Sequence, residues 1–154
     1  MAMVFYNTPW VGLKIEAGDE ALWRIDFVPR NREPQTVSSA LLRHTLQQLD
    51  SYLQQPDFSF DLPLRPQGSD FQQRVWALLR QIPAGEVRTY GEIASQLGSS
   101  PRAVGNACRR NPLPLIVPCH RVVSAQGLGG FAGQTAGPKI HIKQQLLRHE
   151  GLEI

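Results

Sequence analysis

The stretch TYGEIASQLGSSPRAVGNACRR, residues 89–110, predicts two short helices joined by a tight turn. Thr89 can accept a hydrogen bond from the backbone N–H of Glu92 while the Glu92 side chain reaches back, which makes a capping box. Gly98 ends this first helix, and Ser100-Pro101 begins the second with a capping serine and a proline in the first turn. Two short helices across such a turn resemble a helix-turn-helix.

Helices are also predicted on both sides of this motif. Residues 69–82 place apolar side chains at helical spacing, behind a cap at Ser69 or Asp70. Residues 140–150 repeat that spacing, and Gly151 follows as a stop. Between the helices, residues 113–117 are apolar, and we expect them to run extended. The second part of the chain is therefore predicted to be mainly helical.

The first part of the chain predicts a different architecture. Short apolar runs around Val4, Ile15 and Ile25, separated by turn residues, are typical of a small antiparallel sheet. Leucines at helical spacing follow, and they predict one amphipathic helix that covers the sheet. We therefore predict an α/β (α+β) protein with a structural N-terminal lobe, 1–67, and a mainly helical C-terminal lobe, 68–154, that contains the helix-turn-helix.

Charge is distributed unevenly along the chain. Residues 1–67 carry six Lys and Arg against eight Asp and Glu, whereas residues 68–154 carry ten against five. The basic half is a candidate for contact with a polyanion, although a solvated basic face explains so small a charge equally well. No run approaches the roughly 20 apolar residues that cross a bilayer, and the start lacks a signal-peptide pattern. We expect a cytoplasmic protein that does not bind membranes.

The two cysteines, Cys108 and Cys119, are too few for a disulfide framework, and the four histidines show no metal-ligand spacing. We expect free thiols and no metal. A thiolate nucleophile needs a base or a positive field, and His120 follows Cys119 directly. Since neighbouring side chains on an extended strand point apart, His120 could serve Cys119 only at a bend or through a water. A Cys-His pair alone does not exclude a cysteine that simply packs in the core.

Several motifs together resemble the O6-alkylguanine-DNA alkyltransferases, also called methylated-DNA-protein-cysteine S-methyltransferases. The segment IVPCHRVV, Ile116–Val123, matches the family signature, which is highly specific. Further motifs stand in the family's order and spacing: Phe71–Trp76, Ile82–Gly85, Thr89–Ala94, Arg102–Gly105, Asn111–Pro112 and Leu146–Gly151. The likeness covers nearly all of the second lobe and is weaker in the first.

The resemblance implies a suicidal DNA-repair reaction. Cys119 would take the alkyl group from guanine O6 in DNA and keep it as a thioether, with no metal or cofactor. His120 would act through a water as the base that yields the thiolate, and Glu150 would hold His120. Asn111 would complete the hydrogen-bonded network. Because a thioether is chemically stable, one protein would perform one turnover, and we expect it to act as a monomer.

The resemblance also implies how double-stranded DNA that contains O6-alkylguanine is bound. The helix-turn-helix would enter the minor groove, and the damaged nucleotide would flip out of the stack. Arg102 would fill the vacated space, while Ala103 and Gly105 would allow close approach to the groove. Tyr90 would contact the flipped guanine and donate a proton toward the leaving ring. Arg121 could contact a phosphate, but a buried ion pair is equally plausible.

A pocket for the flipped base is implied as well. Pro114, Val122 and Phe131 would form its wall, and the backbone N–H of Ala132 would point at O6. The sequence departs from the family here, because Phe131 stands where a tyrosine is common. The segment 134–142 also makes the loop about five residues longer than in the compact family version. The exact backbone contacts at Ala132 and the range of accepted alkyl groups are therefore left open.

Three other functions compete with this reading. An alkyltransferase-like module would recognise the lesion without repairing it, but such proteins replace the cysteine that Cys119 provides here. A sequence-specific regulator would present base-reading side chains, whereas Ala103 and Gly105 are too small for that role. A cysteine hydrolase would turn over repeatedly instead of being consumed. The sequence indicates no preference among O6-methylguanine, larger adducts and O4-methylthymine, and it does not reveal whether molecules bind DNA cooperatively.

Overall fold

The computed structural model describes residues 2–30, 35–131 and 137–154. The chain divides into two compact units, Met1–Gln67 and Gly68–Ile154. The first unit is a sheet with one helix, and the second is mainly helical, so the α+β class expected from the sequence is confirmed. Across the described ranges, every helix is too short or too polar to span a bilayer.

The first unit is built on a three-stranded antiparallel sheet. Its elements are β1 (Ala2–Asn7), β2 (Gly12–Ala17), β3 (Leu22–Val28) and the helix α1 (Ala40–Gln54), with strand order β1-β2-β3. Val4 lies opposite Ile15, and Ile15 lies opposite Ile25. These three side chains are at most 3% exposed, so they form one buried row across the sheet. The pairing register thus places the predicted apolar residues on a single face.

Helix α1 contacts β1 and β2. It begins after Ser39, whose side chain accepts a hydrogen bond from the backbone N–H of Leu42 at 3.2 Å. Its buried Gln48 exchanges two hydrogen bonds of 2.9 Å with the backbone of Asp61. Because both polar ends of this buried amide are hydrogen-bonded, the cost of removing Gln48 from water is offset, and the side chain holds the segment that follows the helix.

The second unit contains four helices and two short strands among its described residues. The elements are α2 (Asp70–Leu79), β4 (Arg88–Thr89), α3 (Tyr90–Leu97), α4 (Pro101–Arg109), a 3-10 turn (Cys119–Arg121), β5 (Val122–Val123) and α5 (Pro138–His149). Strands β4 and β5 pair in parallel, with Arg88 opposite Val122. This pairing puts the start of α3 beside the turn that carries Cys119.

Local hydrogen bonds explain where these helices begin and end. Ser69 and Thr89 each form a complete capping box, and Ser100 caps α4 ahead of Pro101. Gly98 ends α3 in the left-handed conformation that only glycine adopts at little cost. Helices α3 and α4 pack against each other across this short turn. The helix-turn-helix predicted from the sequence is therefore present.

The apolar segment 113–117 is not extended, which corrects the sequence prediction. The backbone N–H of Val117 donates to the carbonyl of Leu113 at 2.9 Å, so the chain turns back on itself. Leu115 has a φ of 78°, a left-handed conformation that L-residues rarely adopt. The segment is apolar because it is buried, with Leu113, Leu115 and Val117 at most 4% exposed. Burial alone produces the same apolar run in a turn as in a strand.

Candidate active site

Cys119 opens a single 3-10 turn directly after Pro118. Its backbone N–H donates to the carbonyl of Val117 at 2.8 Å, and the N–H of Arg121 donates to the carbonyl of Pro118 at 3.0 Å. A 3-10 turn spreads consecutive side chains by roughly 120° around its axis. The chain therefore bends at Cys119, as the sequence analysis required if His120 is to act on the cysteine. Cys119 is only 6% exposed.

Asn111 ties the turn of residues 113–117 to the cysteine. Its Nδ2 donates to the carbonyl of Val117 at 2.9 Å, and its Oδ1 accepts from the N–H of Leu113 at 2.9 Å. The Asn111 side chain also acts to lower the pKa of Cys119. Asn111 therefore both shapes the backbone before the cysteine and favours its thiolate form.

His120 and Glu150 form a fully buried pair. Nε2 of His120 lies 2.8 Å from Oε2 of Glu150, and neither side chain has any exposed surface. Burial lowers the pKa of His120, and the hydrogen bond and charge of Glu150 offset only part of that effect. Burial alone would raise the pKa of Glu150, but the contacts with His120 and Arg121 outweigh it and lower the pKa to about 2. The resting pair is a neutral imidazole beside a carboxylate.

The other ring nitrogen of His120, Nδ1, is buried and has no hydrogen-bond partner in the described parts of the chain. In a neutral imidazole that donates from Nε2, Nδ1 carries the free lone pair. A buried polar atom without a partner is rare in proteins and costs free energy. The arrangement thus leaves one basic atom available, and the carboxylate behind it can stabilise the charge that forms when the ring takes up a proton.

Arg121 lies in a buried ion pair, which is one of the two roles that the sequence left open for it. Its Nε and Nη2 donate to the two carboxylate oxygens of Glu150 at 2.9 and 3.0 Å, and its Nη1 donates to the carbonyl of Ile82 at 2.6 Å. The residue is only 8% exposed. This bidentate pair also orients Glu150 toward His120, and a phosphate contact by Arg121 stays a prediction.

The thiol of Cys119 is held in its neutral form. Burial raises the pKa of Cys119, while the Asn111 side chain and the positive charge of Lys143 lower it by less. Burial likewise raises the pKa of Cys108 on α4, and a thiolate at Cys119 would raise it further. Both cysteines are free. Nucleophilic chemistry at Cys119 therefore needs a base, since the resting sulfur is protonated.

Tyr90 stands at the first position of α3 and reaches the glycine-rich segment. Its Oη donates to the carbonyl of Gly130 at 3.2 Å. A Cβ atom on Gly129 would lie 2.9 Å from the Tyr90 ring, and Gly129 has a φ of 73°. Glycine is thus required there for both space and conformation. Burial raises the pKa of Tyr90, and the two nearby thiols add to the rise, so its hydroxyl keeps its proton.

Lys143 is a site residue that the sequence analysis missed. It is completely buried, and its Nζ donates to the carbonyls of Val122, Leu128 and Gly130. Its spacing from Leu146 and Leu147 on the last helix places a lysine on an apolar, inward-facing stripe. A charged residue at an apolar position of the helix could have marked Lys143 in the sequence, because lysines are rarely buried without partners.

The remaining predicted residues are the proposed pocket residues and the residues of α4. Pro114, Val122 and Phe131 are buried, and Ala132 lies outside the described residues. Arg102 is exposed on the first turn of α4. Across residues 2–30, 35–131 and 137–154, no group of three or more His, Cys, Asp or Glu is placed to hold a metal ion.

On α4, Ala103 and Gly105 are partly exposed. A Cβ atom on Gly105 would meet nothing within 4 Å. The free protein therefore has open space at Gly105, and packing within the protein does not demand a glycine at this position.

Comparison with known proteins shows the family of this chain. Residues 70–152 match the family described as 6-O-methylguanine DNA methyltransferase, DNA binding domain. The chain is 39% identical to a methylated-DNA–protein-cysteine methyltransferase of Methanosarcina acetivorans, over 98% of this chain and 99% of that protein.

Solved structures agree with this match. The O6-methylguanine methyltransferase of Mycobacterium tuberculosis superposes with a TM-score of 0.78 at 36% identity, covering 96% of this chain and 91% of that one. The OGT protein of the same organism in complex with DNA gives the same TM-score and identity, covering 95% and 90%.

Proposed function

Because the chain belongs to the 6-O-methylguanine DNA methyltransferase family, we propose that it repairs O6-alkylguanine in double-stranded DNA by moving the alkyl group onto its own Cys119. The protein is a methylated-DNA–protein-cysteine methyltransferase. The observation that carries the assignment to Cys119 is the buried chain of groups behind it. Glu150 holds Nε2 of His120 at 2.8 Å and leaves Nδ1 unpartnered and basic.

The reaction is a nucleophilic substitution at the alkyl carbon. Nδ1 of His120 takes the thiol proton of Cys119 through a water, and Glu150 stabilises the imidazolium that results. The thiolate sulfur forms a bond to the alkyl carbon while the bond from that carbon to guanine O6 breaks. The electron pair of the broken bond stays with the guanine ring. The Tyr90 hydroxyl, which keeps its own proton at neutral pH, supplies a proton to the leaving ring.

Access to the base requires that the nucleotide leave the helix, because guanine O6 inside a duplex cannot reach a sulfur that is 6% exposed. Helices α3 and α4 are the DNA-binding motif, with α4 in the minor groove. Exposed Arg102 fills the space that the flipped base vacates, and open space at Gly105 lets the backbone of α4 approach closely. Pro114, Val122 and Phe131 form the pocket wall.

All of the proposed catalytic groups lie within Gly68–Ile154 of one chain. We therefore propose that a monomer performs the transfer and that the unit Met1–Gln67 is a structural support. Location in the cytoplasm stays a prediction. Since the alkyl carbon ends in a stable thioether, each molecule reacts once.

The test is the intact mass of the protein after incubation with a duplex that carries one O6-methylguanine. We expect wild type to gain the mass of one methyl group in stoichiometric amount, and Cys119→Ser to gain none while it still binds the duplex. Cys108→Ser is the matched control and should gain the methyl group as wild type does. Binding by wild type without any mass gain would identify a recognition module in place of a transferase.

A further inference from the structure

Lys143 is a buried cation of the site to which the proposed reaction gives no role. Burial lowers the pKa of Lys143 to about 8, so the ammonium form still predominates at neutral pH. Its Nζ lies 2.6 Å from the carbonyl of Val122, 2.6 Å from that of Leu128 and 3.0 Å from that of Gly130. An ammonium group has three hydrogen-bond donors, so these carbonyls occupy all of them. They come from two different segments, the strand after the cysteine turn and the glycine-rich segment. Lys143 thus fastens two walls of the site to α5.

The carbonyl of Gly130 receives a second donor, the Oη of Tyr90, at 3.2 Å. The Lys143 Nζ also lies 5.9 Å from the centre of the Tyr90 ring. A carbonyl oxygen has two lone pairs and can accept from both donors at once, whereas the Tyr90 hydroxyl has one proton and can donate to one acceptor. In the free protein that proton is directed at Gly130.

The proposed reaction requires the same proton elsewhere. To donate toward the guanine ring, the Tyr90 hydroxyl must leave the Gly130 carbonyl. The Gly130 carbonyl is half-buried in the free protein, and a guanine in the pocket would keep water from it, so the loss of its only donor would raise the free energy of the complex. With Lys143 in place, the Gly130 carbonyl keeps one donor throughout, because the lysine lies on a different helix and need not move.

We propose that Lys143 is a positioning residue that holds the Gly130 carbonyl, so that the Tyr90 hydroxyl is released to the flipped guanine at little cost. The inference rests on the proposed function and deepens it. Gly129 supports the same arrangement, because any side chain at this position would collide with the Tyr90 ring and displace its hydroxyl from the Gly130 carbonyl. Lys143 itself touches neither the guanine nor the alkyl group in this scheme.

The test is a double-mutant cycle on the rate of methyl transfer, measured by intact mass under single-turnover conditions with saturating duplex. The variants are Lys143→Met, Tyr90→Phe and the double variant. In the wild-type background we expect Lys143→Met to slow transfer on the order of tenfold. In the Tyr90→Phe background we expect roughly twofold or less, because phenylalanine has no hydroxyl to release. If Lys143→Met slowed transfer by the same factor in both backgrounds, the inference would be overturned, since a purely structural effect of Lys143 is independent of the Tyr90 hydroxyl.

Controls separate this result from misfolding. Lys139→Met, on the same helix but only partly buried, should change the rate by less than about twofold. If Lys143→Met does not fold, Lys143→Arg replaces it in the cycle, because arginine keeps the charge but not the compact ammonium that meets three carbonyls. The same comparison of factors then decides. Absence of transfer by wild type would overturn the proposed function and this inference with it, whereas transfer with equal factors overturns this inference alone.

Discussion

The carboxylate of Glu150 bridges two buried side chains of opposite character, accepting from Nε2 of His120 at 2.8 Å and from the Arg121 guanidinium at 2.9 and 3.0 Å. One contact is with a group that must change its charge during the reaction, and the other is with a group that never does. Glu150 therefore supports the base while its own position is fixed by Arg121. This double contact makes the site sensitive to both pH and substitution at Glu150.

Acid should destabilise the protein through Glu150. The pKa of this carboxyl is about 2 in the folded protein against an ordinary 4.5. A depressed pKa means that the carboxylate contributes stability above pH 4.5, and that this contribution is lost as the pH falls toward 2. The contribution is roughly 1–3 kcal/mol, because part of the lowering of the pKa comes from the charge that His120 carries only in acid. Urea unfolding at neutral pH and at about pH 3 measures it.

The control for the acid experiment is Glu150→Gln. This variant leaves Arg121 buried and unpaired, so it should be less stable than wild type by about 3–5 kcal/mol at neutral pH. It has no carboxyl to titrate at this position, and the gap between the two proteins should narrow as the pH falls. A gap that is constant with pH would contradict the assigned pKa.

Replacement of the base should change the pH profile of transfer. His120→Gln removes the proton acceptor, and we expect transfer at neutral pH to slow by about 10²–10⁴-fold. Because the Cys119 thiol must then ionise unaided, the rate of the variant should rise with pH, up to about tenfold per unit. Wild type should stay nearly flat above pH 6.5, since the pKa of His120 is lowered from that value. Parallel slopes would show that His120 is not the base.

Gly105→Ala should affect stability and DNA binding in opposite directions. An added methyl group meets nothing within 4 Å in the free protein, and alanine is the better helix former. We expect a gain of about 0.5–1 kcal/mol in the free energy of unfolding. The same methyl group should weaken duplex binding if the backbone of α4 approaches the groove. Unchanged affinity in a fluorescence-anisotropy titration would mean that α4 stays farther from the DNA.

Gly98→Ala is the matched control for that experiment, since it adds the same atoms at the end of α3. Gly98 has a φ of 62°, so alanine there should lower the free energy of unfolding by about 1 kcal/mol. We expect its effect on duplex affinity to be smaller than that of Gly105→Ala. The pair therefore distinguishes contact with DNA from a general change in stability.

Arg102→Ala should slow repair of duplex more than repair of single-stranded DNA. Arg102 is exposed at the start of α4, and its proposed role is to occupy the space of the flipped base. A single strand has no such space, and flipping from a duplex costs a few kcal/mol. The measured quantity is the ratio of transfer rates on the two substrates. Arg109→Ala removes an equal charge from the other end of α4 and should leave this ratio unchanged.

The helix boundaries of the second unit could be predicted because their causes are local. Ser69, Thr89 and Ser100 each cap the helix that directly follows, through a hydrogen bond three residues away. Such contacts can be recognised from spacing alone. The three strands of the first unit could be predicted equally well, since alternating side chains place Val4, Ile15 and Ile25 on one face of the sheet.

Features that depend on distant contacts could not be predicted in this way. The apolar run 113–117 reflects burial in the fold, and a buried strand would show the same run, so the turn at Leu115 cannot be recognised from it. The ion pair of Arg121 depends on Glu150, 29 residues away. Lys143 meets its carbonyls across 13 to 21 residues. Each case needs the tertiary fold before the local sequence can be interpreted.

Burial of the Cys119 sulfur also affects how long an unreacted molecule stays competent for repair. A protein that reacts once is lost to repair whenever its sulfur meets a peroxide or a soluble alkylating agent first. Only 6% of Cys119 is exposed, and burial keeps the sulfur protonated, the form that such reagents attack slowly. The features that make the resting thiol a weak nucleophile therefore keep it intact until a flipped base, delivered by the DNA itself, enters the pocket.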